Sequence, residues 1–353
     1  MITRLLSGDL PRSRILSVLL LLIVLGLAFA PFLFPGAKAL NVAAKVIIFI
    51  ALVASYDLLL GYTGIVSFAH TMFFGIGAYG VAIASVQMGP AWSSLFIGVG
   101  AAVALSAVLS LVIGMFSLRV RAIFYSMITL AVAFAFQTLA SQLSDITGGE
   151  DGLNFSVPDL LSPSFQLFEE PVFGVSVDGK IITYYLVFFV AALLFLCMLR
   201  IVNSSFGRVL QAIRENTFRA EAIGYNTVLF RTAANILSAI FATLAGALLA
   251  LWLHYNGAET SLSFEIMINI LLMVVIGGMG TLYGAICGAT IFILAQSYLE
   301  DLMAHGASAT QNIPLLSTLL SPDRWLLWLG VLFVLSVYYL PTGIVGKLRS
   351  IRH

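Results

Sequence analysis

The side chains that could do chemistry in this sequence are few, and none has the spacing of a catalytic or metal site. The four histidines are scattered, and Cys197 and Cys287 each lie in an apolar run without metal-ligand spacing. The run Gly343–Lys347 resembles the end of a phosphate-binding loop, but Leu348 replaces the required Ser or Thr. The sequence therefore predicts no catalytic residue, no metal and no cofactor bound by this chain, and we expect no nucleic-acid partner.

One acidic residue, Asp57, lies inside an apolar run, where a charged carboxylate costs about 2.5–3.5 kcal/mol on insertion scales. Gly61, Gly64, Ser67 and His70 follow it and form a cluster of polar residues and glycines. Ionisable residues in membrane helices usually face a cavity or the bundle interior, so this cluster predicts the lining of a translocation path. The alternative is that Asp57 lies near the end of its helix and reaches interfacial water.

A second group of glycines, Gly277, Gly278 and Gly280, interrupts the uncharged run from Ile266 to Leu299. As one helix this run would be about 51 Å long, which exceeds a hydrocarbon core of about 30 Å. We therefore predict a hairpin of two helices broken at these glycines. Unwound backbone in a membrane is tolerated where it lines a cavity or is buried in protein, so two such breaks indicate a translocation site. Close helix packing through small residues is the alternative.

The composition predicts the fold class. The 353 residues are 61% apolar and only 9% charged, whereas soluble domains have about 25% charged residues. Lipid must surround most of such a chain, and long apolar runs without strict alternation favour helices over a barrel. We predict an all-α membrane protein, a polytopic bundle of about ten transmembrane helices with glycine-interrupted helices, as a single domain over residues 1–353. The predicted spans are Ile15–Phe34, Val46–Leu60, Thr71–Met88, Ser93–Phe116, Ile123–Leu143, Ile181–Leu199, Thr232–Leu253, Glu265–Ile276, Leu282–Leu299 and Trp325–Leu340.

The distribution of charge predicts the orientation. Basic residues cluster before Ile15, in residues 119–121 and 200–231, and at the end of the chain, whereas residues 144–181 are mainly acidic. Ten spans place every basic cluster on one side, so the positive-inside rule puts both termini in the cytoplasm and residues 144–181 in a periplasmic loop. Lys38 and Lys45 fall on the outer side and violate the rule.

The basic segment 204–224 has apolar residues at helical spacing on one face and charged residues on the other. It predicts one amphipathic helix, ended by Gly224, in which Glu215 and Arg219 form a favourable i,i+4 pair. Such a helix either lies on the anionic inner leaflet or docks into a groove on a partner. Its glutamates balance the arginines, and this weakens the lipid interpretation.

A series of short motifs follows in order along most of the chain. They are Gly61–His70, Phe73–Tyr79, Thr129–Ala131, Thr147–Leu153, Arg214–Asn216, Ala220–Gly224, Val275–Thr281 and Pro341–Gly343. Together they resemble the LivM-type permeases of branched-chain amino-acid ATP-binding-cassette (ABC) importers.

The resemblance implies an ABC importer permease fold and a path for branched-chain or other hydrophobic amino acids across a bacterial inner membrane. It also implies a second homologous permease, two cytoplasmic ATPase subunits that use the ATP, and a periplasmic binding protein. Segment 204–224 would be the coupling helix that the ATPase receives. Its coupling residues would be Arg214, Glu215, Arg219, Glu221, Ala222 and Gly224. The segment departs from the broader importer pattern Glu-Ala-Ala-x-x-x-Gly, because Ile223 follows Glu221 and Ala222. Similar permeases carry urea, short amides or aromatic acids.

Two other classes of protein remain as alternatives from the residues alone. A stand-alone secondary transporter would need a coupling-ion or proton site, and the buried acids Asp57 and Glu265 are few for that role. An intramembrane enzyme would need a catalytic pair, which the sequence lacks.

Overall fold

The structure is a computed structural model that describes residues 13–34, 36–117, 122–167, 176–309, 321 and 324–350. Arg4, Arg12, Arg119 and Arg121, which contribute to the predicted orientation, lie outside the described residues. Within the described part, nine helices are long and apolar enough to cross a membrane. A tenth apolar helix at the start of the chain is shorter, with 15 residues. The predicted polytopic helical bundle is therefore confirmed.

The elements follow one another as a series of long helices with short helical and extended connections. In chain order they are α1 (Arg14–Ala28), α2 (Ala30–Leu33), α3 (Ala37–Thr63), α4 (His70–Met88), α5 (Trp92–Ser117), α6 (Ala122–Gln142), α7 (Ser144–Thr147), β1 (Leu153–Asn154), α8 (Gly179–Val202), α9 (Ser205–Glu215), α10 (Thr217–Ala222), α11 (Thr227–Leu253), β2 (Tyr255–Asn256), α12 (Ala258–Ser261), α13 (Phe264–Gly277), α14 (Leu282–Ala309), α15 (Trp325–Tyr339) and α16 (Gly343–Ser350).

Helix α3 lies at the centre of the bundle, and α4 and α11 pack beside it. In the apolar part of α3, 89% of the residues are buried inside the protein. The corresponding shares are 17% in α6 and 11% in the span that contains α15, and both are peripheral. The backbones of α4 and α11 touch, because a Cβ atom added to Gly77 would lie 1.8 Å from the Thr243 carbonyl oxygen. Small residues allow such close approach between membrane helices.

The charged connections gather at two opposite ends of the bundle. At the end that we call the acidic end, β1 pairs antiparallel with β2, and Leu153 lies opposite Asn256. This sheet has only two residues in each strand, and the structure agrees with the predicted all-α class. The other end, the basic end, contains α9, α10, α16 and the start of α1, and α16 contacts α1 there. Helix α8 links the two ends, since its 24 residues span about 36 Å.

Two predicted helix boundaries are wrong. The first predicted span, Ile15–Phe34, is divided into α1 and α2, and Pro31 lies in the first turn of α2, where proline is tolerated. The second predicted span begins at Ala37 rather than Val46. Lys38 and Lys45, which violate the charge rule, therefore lie within the first turns of α3 at the acidic end.

The predicted single helix over residues 204–224 is also wrong, because Asn216 breaks it. Asn216 is extended, with φ −157° and ψ 101°, and its side chain accepts a hydrogen bond from the Arg219 N–H. Asparagine favours such capping positions because its short amide satisfies a free N–H at the start of a helix. Glu215 ends α9 and Arg219 lies in α10, so they do not form the predicted pair within one helix.

Candidate translocation site

The first helix break, between α3 and α4, is an unwound segment that turns back into the bundle. Helix α3 ends at Thr63, and Gly64 has a φ of 73°, in the left-handed region that favours glycine. Helix α4 begins at His70, whose Nε2 atom lies 2.8 Å from the Ser55 hydroxyl oxygen. Ser55 precedes the end of α3 by two turns, about 12 Å. Residues 64–69 therefore run back alongside α3, and Ile65, Ser67 and Ala69 are buried.

Side chains of α6 satisfy the unwound backbone. The Ser126 hydroxyl donates to the Val66 carbonyl at 2.9 Å, and the Thr129 hydroxyl accepts from the Phe68 N–H at 3.1 Å. Ser67 is buried, and its hydroxyl accepts from the Ala69 N–H at 3.4 Å. Sequence reasoning missed the roles of Ser126 and Thr129. Two hydroxyl residues three positions apart on one helix face were the available signal.

The second helix break confirms the predicted hairpin. Helix α13 ends at Gly277, and Gly278 and Gly280 take φ values of 115° and 80° before α14 begins. Glycine adopts such values at little cost, unlike other residues. The break also packs against the C-terminal motif, because a Cβ atom on Gly343 would lie 2.2 Å from the Gly278 Cα atom.

The two breaks meet at the basic end. A carboxylate oxygen of Asp57 accepts a hydrogen bond of 2.8 Å from the Gly280 N–H. A Cβ atom on Gly61 would lie only 2.4 Å from the Gly280 nitrogen, so glycine is required for this approach. Arg214 of α9 donates from its guanidinium to the Gly61 carbonyl oxygen. We call Asp57, Gly61, Arg214 and Gly280 the Arg214 cluster.

Asp57 is buried within this cluster and does not reach the surface, with 1% of its area exposed. Its second carboxylate oxygen has no hydrogen-bond partner among the described residues. Arg214 supplies the positive charge that acts on it. A buried charge is expensive unless a partner compensates it. Arg214 therefore stabilises both a buried carboxylate and a helix break.

The other predicted coupling residues do not join the Arg214 cluster. They are exposed on the basic end: Glu215, Arg219, Glu221, Ala222 and Gly224. The Glu221 carboxylate accepts from the Thr227 hydroxyl at 2.7 Å. Two large apolar side chains lie among them, Phe218 with 85% and Ile223 with 68% of its area exposed.

A polar cavity of about 620 Å³ lies at the acidic end of the same helices. Its walls include Lys45 of α3, Lys180 of α8 and Glu265 of α13. His254, just beyond α11, is nearby: burial and, to a lesser extent, the Lys180 ammonium lower its pKa. From the sequence, Lys45 was identified only as a violation of the charge rule. Glu265 was predicted to be a buried acid, which is wrong, because its side chain is exposed. Within the described residues, no group of three or more His, Cys, Asp or Glu side chains forms a metal site.

Comparison with known proteins places the chain among transport proteins. It matches the family described as branched-chain amino acid transport system / permease component over residues 38–337. The high-affinity branched-chain amino acid transport system permease protein LivM of Salmonella typhimurium is 25% identical over 344 residues, which cover 94% of this chain and 75% of that protein. The probable LivM permease of Methanocaldococcus jannaschii is 26% identical over 264 residues, which cover 72% and 71%.

A relative with a different name also matches. The high-affinity branched-chain amino acid transport system permease protein LivH of Escherichia coli K12 is 23% identical over 303 residues, which cover 84% of this chain and 91% of that protein. No solved structure matches the chain significantly. The family match extends over most of the chain and agrees with the series of long apolar helices in the described part. The chain is a multi-pass membrane protein that belongs to the permease-component family of branched-chain amino acid transport systems.

Proposed function

We propose that this chain is a permease subunit of an ATP-driven importer and forms a path for branched-chain or related hydrophobic amino acids. The observation that carries the proposal is the Arg214 cluster, in which one basic segment holds two helix breaks together. Unwound backbone buried between membrane helices is typical of translocation sites. Partner subunits supply the ATP hydrolysis, and a periplasmic binding protein supplies the substrate.

The path follows α3 and α13 from the polar cavity to the Arg214 cluster. Phe49 and Met273 line the cavity. Asp57 lies two turns beyond Phe49 along α3, about 12 Å. The Arg214 cluster then closes the basic end through the hydrogen bonds from Gly280 to Asp57 and from Arg214 to Gly61. In this arrangement the chain is open toward the acidic end and closed toward the basic end.

Helix α9 couples the closure to a partner. Arg214 is near the end of α9, and α10 follows directly after Asn216. The ATPase subunit docks on the exposed residues of α10, where Phe218 provides an aromatic anchor and Arg219 a charge. Aromatic and arginine side chains are typical of the residues that dominate binding energy at interfaces. When the ATPase moves α9, Arg214 leaves the Gly61 carbonyl oxygen, and the first and second helix breaks can then separate.

The basic end is cytoplasmic in this proposal, because cytoplasmic loops carry an excess of Lys and Arg. Both termini then face the cytoplasm of a bacterium, and the membrane is its inner membrane. Similarity to both LivM and LivH supports pairing with a second permease of the same family.

Reconstitution tests the proposal. The chain is purified with its second permease and ATPase subunits, placed in proteoliposomes, and supplied with the binding protein and labelled L-leucine. We expect uptake that requires ATP and the binding protein, and neither uptake nor ATP hydrolysis by the chain alone. Transport of urea but not leucine would overturn the amino-acid assignment and leave the permease role. Uptake by the chain alone without ATP would overturn the importer assignment.

The last outcome would favour a secondary transporter, and one observation points that way. Asp57 is a buried acid with an unpartnered carboxylate oxygen among the described residues, a feature also found in proton-coupled transporters. Under that alternative, leucine uptake by the chain alone would follow an imposed pH gradient.

A further inference from the structure

The polar cavity at the acidic end has walls of both charges. Lys45 and Lys180 bring positive charge, and Glu259 and Glu265 bring negative charge. Phe49 lies on the same wall as Lys45, one helical turn further along α3. The cavity therefore combines side chains of opposite charge with apolar side chains such as Phe49.

These charges face the cavity without neutralising one another. Glu265 is the acidic residue whose charge acts on Lys45, yet they form no ion pair within 4.0 Å. In the described part of the chain, the ion pair at the acidic end joins Lys38 to Asp301 at 2.5 Å. The Lys45 ammonium lies 5.8 Å from the centroid of the Phe49 ring. The Lys180 ammonium likewise lies over an aromatic ring, 5.5 Å from the centroid of the Trp252 ring.

We infer that the polar cavity receives the substrate as a zwitterionic α-amino acid, with its carboxylate toward Lys45 and its ammonium toward Glu265. This inference rests on the proposed function and names the substrate class that its path accepts. A zwitterion carries both charges on one carbon atom, so it can pair with Lys45 and Glu265 together and leave the net charge of the cavity unchanged. Separated opposite charges on the walls of one cavity attract the two ends of such a dipole.

The lining also argues against the other substrates of similar permeases. Urea and short amides carry no charge, so they would leave both Lys45 and Glu265 unpaired. A simple aromatic acid would pair with the lysine alone. The apolar side chains of Phe49 and Met273 at the inner part of the cavity are suited to an aliphatic side chain. The volume of about 620 Å³ leaves room for water, which keeps binding weak enough for release along a path.

Two neutralising variants test the inference in the reconstituted complex, with labelled L-leucine as the probe. For Lys45→Met and for Glu265→Gln, we expect uptake at subsaturating leucine to fall about tenfold. Each substitution removes one hydrogen bond to a charged group of leucine, and the loss of such a bond weakens binding about tenfold. Lys45→Arg keeps the charge and should retain most of the uptake. Lys38→Met is the matched control, since Lys38 lies on the same helix but pairs with Asp301 outside the cavity.

A charge-rescue experiment separates the role of charge from any effect on folding. Lys45→Cys is made in a chain in which Cys197 and Cys287 are replaced by alanine, and the reconstituted complex is treated from the acidic end. A cationic aminoethyl methanethiosulfonate should restore leucine uptake, and the anionic sulfonatoethyl reagent should not.

The outcomes distinguish the inference from the proposed function. Wild-type uptake of leucine with unchanged uptake by Lys45→Met and Glu265→Gln would overturn the inference and leave the importer intact. Equal rescue by both reagents would overturn it as well. A wild-type complex that transports no amino acid would overturn the proposed substrate and the inference with it.

Discussion

Arg214→Met should open the basic end of the path. The substitution removes the guanidinium donor of the Gly61 carbonyl and the positive charge that acts on buried Asp57. Loss of a hydrogen bond to a charged group costs about 1.5–3 kcal/mol. The larger cost of about 3–5 kcal/mol for a fully buried broken pair does not apply, because Arg214 itself is exposed. A cost of about 1.5–3 kcal/mol raises the population of the open state roughly tenfold to a hundredfold.

Thiol accessibility measures this opening. Ser67→Cys is introduced into a chain without Cys197 and Cys287, because Ser67 is 1% exposed and lies in the first break. In inside-out vesicles, an impermeant maleimide should label Cys at this position slowly. With Arg214→Met added, we expect the labelling rate to rise about tenfold or more.

Two further variants decide whether the reasoning holds. Arg219→Met is the matched control, since Arg219 is exposed on α10 and outside the Arg214 cluster, and it should leave labelling unchanged. Asp57→Asn combined with Arg214→Met should give less labelling than Arg214→Met alone, because no buried charge is then left unpaired. A labelling rate for Arg214→Met equal to the wild-type value, or an equal increase with Arg219→Met, would show that Arg214 does not hold the basic end closed.

Three other predictions concern the close contact at Gly61, the exposed Phe218 side chain and the orientation of the chain. Gly61→Ala should lower the thermal midpoint of the purified complex by an amount equivalent to about 1–3 kcal/mol, because its Cβ atom would lie 2.4 Å from the Gly280 nitrogen. Gly100→Ala is the control and should leave the midpoint unchanged, since its Cβ atom would have nothing within 4 Å. Equal midpoints for the two variants would contradict the prediction. Phe218→Ser should weaken co-purification of the ATPase subunit at least tenfold without changing membrane insertion, as its side chain is 85% exposed and acts as an anchor; unchanged co-purification would exclude that anchor. Ser162→Cys should react with an impermeant thiol reagent in intact cells and Ser350→Cys should not, and labelling of Ser350→Cys from outside would reverse the proposed orientation.

Much of the bundle could be predicted because the signals are local. A long run without charge identifies a membrane helix by itself, and glycines in the middle of such a run indicate where it breaks. Gly64 and Gly278 were therefore predictable as breaks, and both have positive φ values in the structure. The break at Asn216 was not predicted. Apolar residues recur at helical spacing both before and after it, so the segment was interpreted as one helix despite the preference of asparagine for capping positions.

The tertiary structure alone decided which of these local features meet. Arg214 and Gly61 are 153 positions apart, and Asp57 and Gly280 are 223 positions apart. Sequence reasoning assigned Arg214 to coupling and Gly61 to the path, but not to one cluster. It also treated Lys45 as a misplaced charge, whereas the structure places it in a cavity beside Glu265. Hydrophobic periodicity depends on neighbours along one helix, but these contacts depend on how α3, α9 and α13 cross, and that is determined by packing between residues far apart in the chain.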